Sequence, residues 1–259
     1  MPAAQVAEVQ LAYTRKGTGV PVMLITGLSG RGREWGPQVD LFAENFDVIV
    51  PDHPGCGDSS RPDEFTLSHH TEAMAELLRH LEVGPAHIVG SSTGGAIAQL
   101  LALDHPDVVR SISLVSSWAR SDDFFRHQFA ARKEVLERLG PAEYATVSAL
   151  FLFSPEFFRD HYTDIEQWHK AASQGDKEVM AARIDMILQH DVHDRLPLID
   201  TPTLVLVGSA DVCTPPHCSR ELAGVIPGAE SVVMEGGHLI YKEAVEEFHR
   251  VVTEFVTRH

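Results

Sequence analysis

The stretch His87-Ile88-Val89-Gly90-Ser91-Ser92-Thr93-Gly94-Gly95-Ala96 decides the fold of this 259-residue chain. It begins with the end of a buried strand and runs into a small, helix-prone segment that continues to Ala102. Between them, Gly90-x-Ser92-x-Gly94 matches the pattern G-x-S-x-G, which requires a strand, a tight turn and a helix in that order. The glycines are needed because larger side chains there would collide with the strand or the helix. The stretch therefore predicts a sharp turn that lifts Ser92 off the carboxyl edge of a parallel sheet.

This turn predicts a nucleophilic serine. The first amides of the following helix carry partial positive charge, so the Thr93 N–H is expected to hold a developing oxyanion. A glycine-rich turn that only packs, or a phosphate-binding loop, is the alternative. No Lys follows the glycines, as a phosphate loop would require.

Composition favours one large α/β domain that acts on a small molecule. Of the residues, 44% are hydrophobic and 22% are charged, which suits a folded core. The formal net charge of −16 argues against nucleic acid or an anionic membrane surface as a partner. No pattern in the sequence distinguishes a monomer from a homodimer.

Targeting signals and cysteines predict a cytoplasmic location. The first residues lack a basic region followed by an apolar run, and no apolar stretch approaches membrane-spanning length. The three cysteines are an odd number without a paired framework, which suits a reducing compartment: Cys56, Cys213 and Cys218.

Strand-like runs alternate with helical patterns through most of the chain. Strands are predicted at 6–15, 20–25, 47–50, 87–89, 111–115, 203–207 and 231–234. Helices are predicted at 35–42, 68–81 and 95–102, and at the carboxyl terminus.

The segment 118–194 breaks this alternation. It has no strand-like run and carries many aromatic residues on helical segments. We expect a helical lid inserted into an α/β core made of residues 1–117 and 195–259, because ligands bind at the edge of the sheet where such a lid would lie. A peripheral subdomain that only stabilises the fold is the alternative. The lid residues expected to contact substrate are Trp118, Phe151 and Trp168.

Three arginines at the start of the lid raise the question of an anionic substrate. Arg120, Arg126 and Arg132 could receive a carboxylate. The favoured interpretation, however, is that they form a solvated helix face.

A serine needs a base to take its proton and an acid to orient that base. His238 follows a strand and two glycines, and Asp211 directly follows the preceding strand. We therefore expect Ser92, Asp211 and His238 to form a triad. Asp122 and Asp123, which follow the strand at 111–115, are the rival acids.

Two other strand-end positions have expected roles. The Leu28 N–H follows the strand at 20–25 and is the predicted second oxyanion donor. Asp52 is expected to hydrogen-bond the loop around Gly55 and Gly57. His190, Asp191 and His193 lack an opposing ligand pair, so no metal site is predicted.

These residues resemble the α/β-hydrolase superfamily over nearly the whole chain. The likeness rests on the turn at Ser92, the loop at Gly27-Leu28, the loop 52–59, and the Asp211 and His238 loops. It implies a mostly parallel eight-stranded sheet with an inserted helical lid. Within the superfamily, the chain is similar to 3-oxoadipate enol-lactonases. Its lid segments 116–118 and 149–155 and the run 213–222 are similar to the aminoacrylate hydrolases of the Rut pyrimidine-degradation pathway. Superfamily members often have His-Gly where this chain has Thr26-Gly27.

The first functional hypothesis is a serine hydrolase of small carboxylic esters or lactones that needs no cofactor. A second keeps the triad but cleaves a C–C bond of a dienoate, or an aminoacrylate or carbamate from pyrimidine breakdown. A third is a hydrolase fold that only binds a small ligand.

Overall fold

Eight strands form one sheet, in a computed structural model that describes residues 1–259. The strands are β1 (Ala3–Val6), β2 (Val9–Lys16), β3 (Val20–Ile25), β4 (Phe46–Pro51), β5 (Ala86–Ser91), β6 (Val109–Val115), β7 (Thr203–Gly208) and β8 (Glu230–Met234). Their order in the sheet is β1-β2-β4-β3-β5-β6-β7-β8. The pairs β1–β2 and β2–β4 are antiparallel, and all other neighbours are parallel. The predicted fold class is therefore confirmed.

Eleven α-helices surround the sheet and extend beyond one of its edges. They are α1 (Gln38–Ala43), α2 (Leu67–His80), α3 (Thr93–Asp104), α4 (Asp123–Leu139), α5 (Pro141–Leu152), α6 (Pro155–Asp160), α7 (Tyr162–Ala172), α8 (Lys177–Leu188), α9 (Pro216–Val225), α10 (Ile240–Glu243) and α11 (Val245–Arg258). Three short 3-10 turns lie at Gly32–Trp35, Pro106–Val108 and His193–Leu198. None of the helices combines the length and apolar character needed to cross a bilayer.

The central strands are apolar along their whole length because helices cover both faces of the sheet. Every residue of β4, β5 and β7 is buried. Two apolar cores result: one includes residues of α2, α3 and α9, and the other includes residues of α1 and α11. This packing fixes the carboxyl ends of the parallel strands at one edge of the sheet, where the polar loops gather.

The amino-terminal region differs from its prediction. The expected single strand at 6–15 is a hairpin of β1 and β2, and its turn is formed by Ala7 and Glu8. Both turn residues have positive φ, at 44° and 64°. Such values are uncommon for residues other than glycine, so the sequence carried no turn signal there.

Helices α4–α8 occupy the segment between β6 and β7 without any strand. The two ends of this segment lie side by side, since Arg120 and Asp191 form an isolated antiparallel bridge. The Val192 N–H also donates to the Ala119 carbonyl at 3.0 Å. The helical insertion, defined here as α4–α8, thus leaves and re-enters the sheet at one place.

Candidate active site

The turn after β5 holds Ser92 in a strained backbone conformation. Its φ is 53° and its ψ is −114°, outside the regions that L-residues ordinarily occupy. A Cβ at Gly90 would overlap the Gly94 backbone, and a Cβ at Gly94 would overlap the Ile25 carbonyl. Glycine is therefore required on both sides of the serine. The Ser92 N–H is fixed by the Val115 carbonyl at 2.8 Å.

Asp211 and His238 form a buried, hydrogen-bonded pair in the loops that follow β7 and β8. Asp211 Oδ2 lies 2.9 Å from His238 Nδ1, and the two side chains are 0% and 2% exposed. The Cys213 and Thr214 amides donate to Asp211 Oδ1 at 2.8 and 2.9 Å. When Nδ1–H donates to this carboxylate, the Nε2 lone pair of His238 remains available to accept a proton.

The Thr214 hydroxyl adds a contact that the sequence did not predict. Its Oγ1 lies 3.0 Å from Asp211 Oδ2 and 3.1 Å from His238 Nδ1. It can also donate to the Ser116 carbonyl at 2.9 Å. Thr214 therefore ties the acid and imidazole to the loop that follows β6.

The rival acids lie elsewhere. Asp122 Oδ1 caps α4 by accepting from the Phe125 N–H, and its Oδ2 lies 2.8 Å from His217 Nε2. Asp123 is exposed on the first turn of α4. Of the acids considered from the sequence, only Asp211 is paired with His238.

A cavity of about 300 Å³ lies between the sheet edge and the helical insertion. Ser92, His238 and Leu28 are among its lining residues, together with residues of α4, α5, α7 and α8. No hydrogen bond joins Ser92 Oγ to the imidazole in this structure. The volume is at the small end of the range for ligand pockets, roughly 300–1,000 Å³. The cavity thus suits a small molecule and brings both parts of the predicted site into one space.

The predicted oxyanion donors flank the serine. Thr93 is the first residue of α3, and N–H groups in the first turn of a helix have no partner within the helix. The Leu28 N–H has no protein acceptor. A Cβ on Gly27 would lie 3.2 Å from Ser92 Cβ, so the Gly27-Leu28 loop passes directly beside the serine.

Arg183 of α8 holds this loop, which sequence reasoning did not predict. Its Nε donates to the Leu28 carbonyl at 3.0 Å, and its Nη atoms lie 2.9 Å from His70 Nε2 and His53 Nδ1. Burial, reinforced by the Arg183 charge, lowers the pKa of His53 and of His70 well below its usual value. Both imidazoles are therefore neutral acceptors. His53 Nε2 also lies 3.5 Å from Thr26 Oγ1. Position 26 is the one at which superfamily members often have histidine.

The loop after β4 is organised by Asp52, as the sequence predicts. Asp52 Oδ1 accepts from the Gly32 N–H at 2.6 Å, and Oδ2 accepts from the Asp58 N–H at 3.0 Å. A Cβ at Gly57 would overlap the carboxylate of Asp52.

Among the three aromatic residues expected to contact substrate, Trp168 lines the cavity. Trp118 does not, because it is 1% exposed in the core and packs on Phe125, with ring centroids 4.7 Å apart. Phe151 is also absent from the cavity lining. Its ring lies against the Arg132 guanidinium, whose carbon is 5.4 Å from the ring centroid. The placement of Trp118 and Phe151 thus corrects those two expectations.

Of the three arginines near the start of the insertion, two are exposed and one lines the cavity. Arg120 is exposed and pairs with Glu221 at 2.8 Å, and Arg126 is exposed on α4. Arg132 is only 3% exposed and lines the cavity. The expectation of a solvated helix face is wrong for Arg132, because it lies on the same face of α4 as buried Phe125 and Phe129.

One group of metal-ligand side chains lies outside the cavity. Ligand atoms of Asp122, His217 and Cys218 lie within 4.8 Å of one another. Burial raises the pKa of the Cys218 thiol to about 12, which opposes formation of the thiolate. Asp122 and His217 already satisfy each other, and none of the three residues lines the cavity.

The sheet order, the serine turn and the buried Asp–His pair define an enzyme class. The family model for the alpha/beta hydrolase fold matches residues 20–245. The chain belongs to the α/β-hydrolase family.

Relatives within this family narrow the comparison. The chain is 33% identical over 240 residues to a protein named carbamate hydrolase RutD from Caulobacter vibrioides, covering 91% of this chain and 89% of that one. Among solved structures, an esterase from Thermogutta terrifontis with malate bound has a TM-score of 0.90 and 30% identity, covering 100% and 99% of the two chains. The enol-lactonase from Burkholderia xenovorans LB400 has a TM-score of 0.93 and 26% identity, covering 99% and 100%.

Proposed function

We propose that the chain hydrolyses small carboxylic esters or lactones through an acyl-enzyme on Ser92. The observation that carries this proposal is the buried Asp211–His238 pair, which opens on the same cavity as Ser92. A desolvated carboxylate beside an imidazole fixes the tautomer that can accept a serine proton. The similarity to an esterase and to an enol-lactonase supports the same reaction type.

In this proposal, Ser92 Oγ attacks the substrate carbonyl while His238 Nε2 takes its proton. The amides of Leu28 and Thr93 stabilise the oxyanion. His238 then returns the proton to the leaving alkoxide, and the alcohol departs from the acyl-enzyme. A water molecule repeats the sequence with His238 as base and releases the acid. Each oxyanion donor contributes roughly 3–4 kcal/mol to lowering the barrier.

The helical insertion is proposed to act as a lid, with residues 118–194 as the lid and 1–117 and 195–259 as the core. Support comes from the cavity wall, to which α4, α5, α7 and α8 contribute alongside the sheet-edge loops. Closing this wall over the substrate would exclude bulk water from the oxyanion. Trp168 is the aromatic lid residue proposed to contact substrate.

The test is hydrolysis of a short panel by the wild type and by Ser92→Ala. The panel contains p-nitrophenyl acetate, p-nitrophenyl butyrate, an aliphatic lactone, an enol-lactone and a meta-cleavage dienoate. We expect ester or lactone turnover that falls at least about 10⁴-fold in Ser92→Ala, because the variant lacks the nucleophile. An unchanged circular dichroism spectrum is the folding control. Substantial activity remaining in this variant would contradict the acyl-enzyme, and turnover of the dienoate alone would move the chain to C–C hydrolysis.

A second candidate is cleavage of a carbamate. It is favoured by the curated relatives, several of which carry the name carbamate hydrolase RutD at 30–34% identity. The same serine, imidazole and oxyanion donors would act on a carbamate carbonyl. A carbamate added to the panel separates the two functions. Its turnover with silence on all esters and lactones would favour the second candidate.

A further inference from the structure

Arg132 is a buried cation in the cavity wall without an acidic partner. It lies on α4 at 3% exposure, and no carboxylate comes within 4.0 Å of it. A guanidinium stays protonated under all ordinary conditions, so its charge is permanent. Burying such a charge is costly unless an anion or several hydrogen bonds compensate it. The contacts of Arg132 therefore indicate whether the cavity is suited to an anionic ligand.

The groups that contact Arg132 are neutral. Its Nε and Nη2 donate to Ser148 Oγ at 3.2 and 3.0 Å, and Nη2 donates to Tyr144 Oη at 3.2 Å. Its Nη1 meets only Cys213 Sγ, at 3.6 Å. Burial raises the pKa of Cys213 to about 12, so this sulfur is an uncharged thiol. The Phe129 ring, whose centroid is 4.4 Å from the guanidinium carbon, adds a cation–π contact but no anion.

The hydrogen-bond count leaves donors unused on three residues. Nη1 carries two N–H groups, and a single weak sulfur acceptor satisfies at most one of them. Tyr144 and Ser148 accept from Arg132, but neither hydroxyl hydrogen has an acceptor in the protein. These side chains are 6% and 1% exposed, and all three residues line the cavity with Ser92 and His238. Buried donors without acceptors are rare, and here they converge on one space.

The acids that line the cavity are engaged elsewhere. Glu34 pairs with Lys242 at 2.9 Å. Asp176 caps α8 by accepting from two main-chain amides. The wall also contains Arg183, which forms no salt bridge, as well as Arg31, which donates to the Ala171 carbonyl at 3.3 Å. The cavity is thus locally cationic in a chain whose net charge is −16.

We propose that Arg132, Tyr144 and Ser148 form an anion subsite that binds a carboxylate of the substrate. This inference rests on the proposed function and deepens it: the substrates are small esters or lactones that carry a free carboxylate in addition to the bond that is cleaved. The carboxylate accepts from Nη1 and from the two hydroxyls, which gives every polar group of the cluster a partner. The subsite therefore selects the substrate, while Ser92 and His238 perform the reaction.

The test compares matched anionic and neutral esters. Monomethyl succinate, glutarate and adipate are the anionic set, and methyl ketones of equal length replace the carboxylate in the neutral set. We expect the wild-type kcat/KM to favour the best anionic ester over its neutral match by at least about 10-fold. Arg132→Gln should lower kcat/KM for that ester by about 10- to 100-fold, mostly through KM, and change the neutral ester by less than about threefold. Tyr144→Phe should give a smaller loss of the same kind.

Arg126→Gln is the control, because it removes a charge from the exposed face of the same helix. A merely structural Arg132 would lower the rates on both ester sets equally. Equal wild-type efficiency on anionic and neutral esters at all three lengths would overturn the subsite, and this comparison requires no variant to fold.

Calorimetric titration of glutarate into the wild type and Arg132→Gln separates the subsite from the proposed reaction. If no ester is hydrolysed but glutarate binds through Arg132, the proposed function fails and the subsite stands. If the esters are hydrolysed without regard to charge, the function stands and the subsite fails. If no ester is hydrolysed and glutarate does not bind, both fail.

Discussion

Two regions of the cavity wall differ in how completely their buried charged side chains are paired. At the sheet edge, the Asp211 carboxylate accepts hydrogen bonds from two amides and lies 2.9 Å from His238 Nδ1. In the helical insertion, Arg132 and Arg183 are fully buried, contact neutral acceptors and form no salt bridge. The Asp211–His238 pair is therefore satisfied within the protein, whereas the Arg132 cluster in the insertion retains unused donors.

This difference indicates that the two regions have separate roles. A network that is satisfied before substrate arrives holds its groups in place, which proton transfer requires. A wall with unused donors gains its missing partner only from a ligand, so it favours molecules that supply an acceptor. We infer that the sheet edge determines the reaction and that the insertion determines which substrate reaches it.

The largest effect expected within this comparison comes from breaking the pair at the sheet edge. Asp211→Asn should lower kcat by about 10⁴-fold, because an amide cannot hold the imidazole in the tautomer that accepts the serine proton. Asp122→Asn is the matched control and should change kcat by less than a few fold, since that side chain pairs with His217. Steady-state hydrolysis of a neutral ester measures both. A larger loss in Asp122→Asn would move the acid to the loop after β6.

A smaller effect is expected from Arg183, where the insertion touches the catalytic loop. Arg183→Gln removes the hydrogen bond to the Leu28 carbonyl and frees the loop that carries the proposed oxyanion donor. We expect kcat on a neutral ester to fall about 10- to 100-fold with little change in KM, which is less than the loss of a whole oxyanion donor.

Arg183→Lys serves as the second variant, because it retains the charge but cannot reach all three acceptors. It should fall between the wild type and Arg183→Gln. Unchanged kcat in both variants, with the fold intact by circular dichroism, would show that Leu28 needs no support from the insertion.

The smallest effect is the dependence of the free energy of unfolding on pH. Burial lowers the pKa of five histidines: His53, His70, His87, His190 and His249. The first two of these accept from Arg183. The unfolded chain binds more protons at these groups below about pH 6.5, so the free energy of unfolding falls as pH decreases. Burial lowers the pKa of His190 to about 4. Its contribution to stability is therefore lost progressively as the pH falls from about 6.5 to about 4.

Urea unfolding at pH 7.5, 6.5 and 5.5 measures this slope. Each such histidine contributes up to about 1.4 kcal/mol per pH unit. His190→Asn should reduce the slope, whereas a change at exposed His80 should leave it unaltered. Stability that does not change between pH 7.5 and 5.5 would contradict the neutral state assigned to these imidazoles.

The parallel strands and the loops at their carboxyl ends were predictable because their signals are local. The glycines around Ser92, the strand before Asp211 and the glycines before His238 each specify a turn within a few residues. The boundaries of α2 confirm a helical pattern predicted at 68–81, with one residue added at the start and one fewer at the end. Loops at the carboxyl ends of parallel strands must then meet at one edge.

The cavity wall was less predictable because it is formed by packing between distant segments. Arg183 contacts His53 and His70, which lie more than one hundred residues away in sequence. Arg132 did carry a usable signal: it follows Phe125 and Phe129 by seven and three residues, on the buried face of α4. That spacing indicates a buried position, whereas the general preference of arginine for solvent indicates an exposed one. Trp118, by contrast, is buried in the core, and no local pattern distinguishes that position from a cavity lining.

The central claim is that Ser92 is the nucleophile of this cavity. Incubation of the wild type and Ser92→Ala with a fluorophosphonate, followed by intact and peptide mass spectrometry, tests it most directly. We predict one adduct per wild-type chain, located on the peptide that contains Ser92, and none on the variant. Labelling that persists in Ser92→Ala, or a wild type that takes up no label while it hydrolyses esters, would contradict the claim.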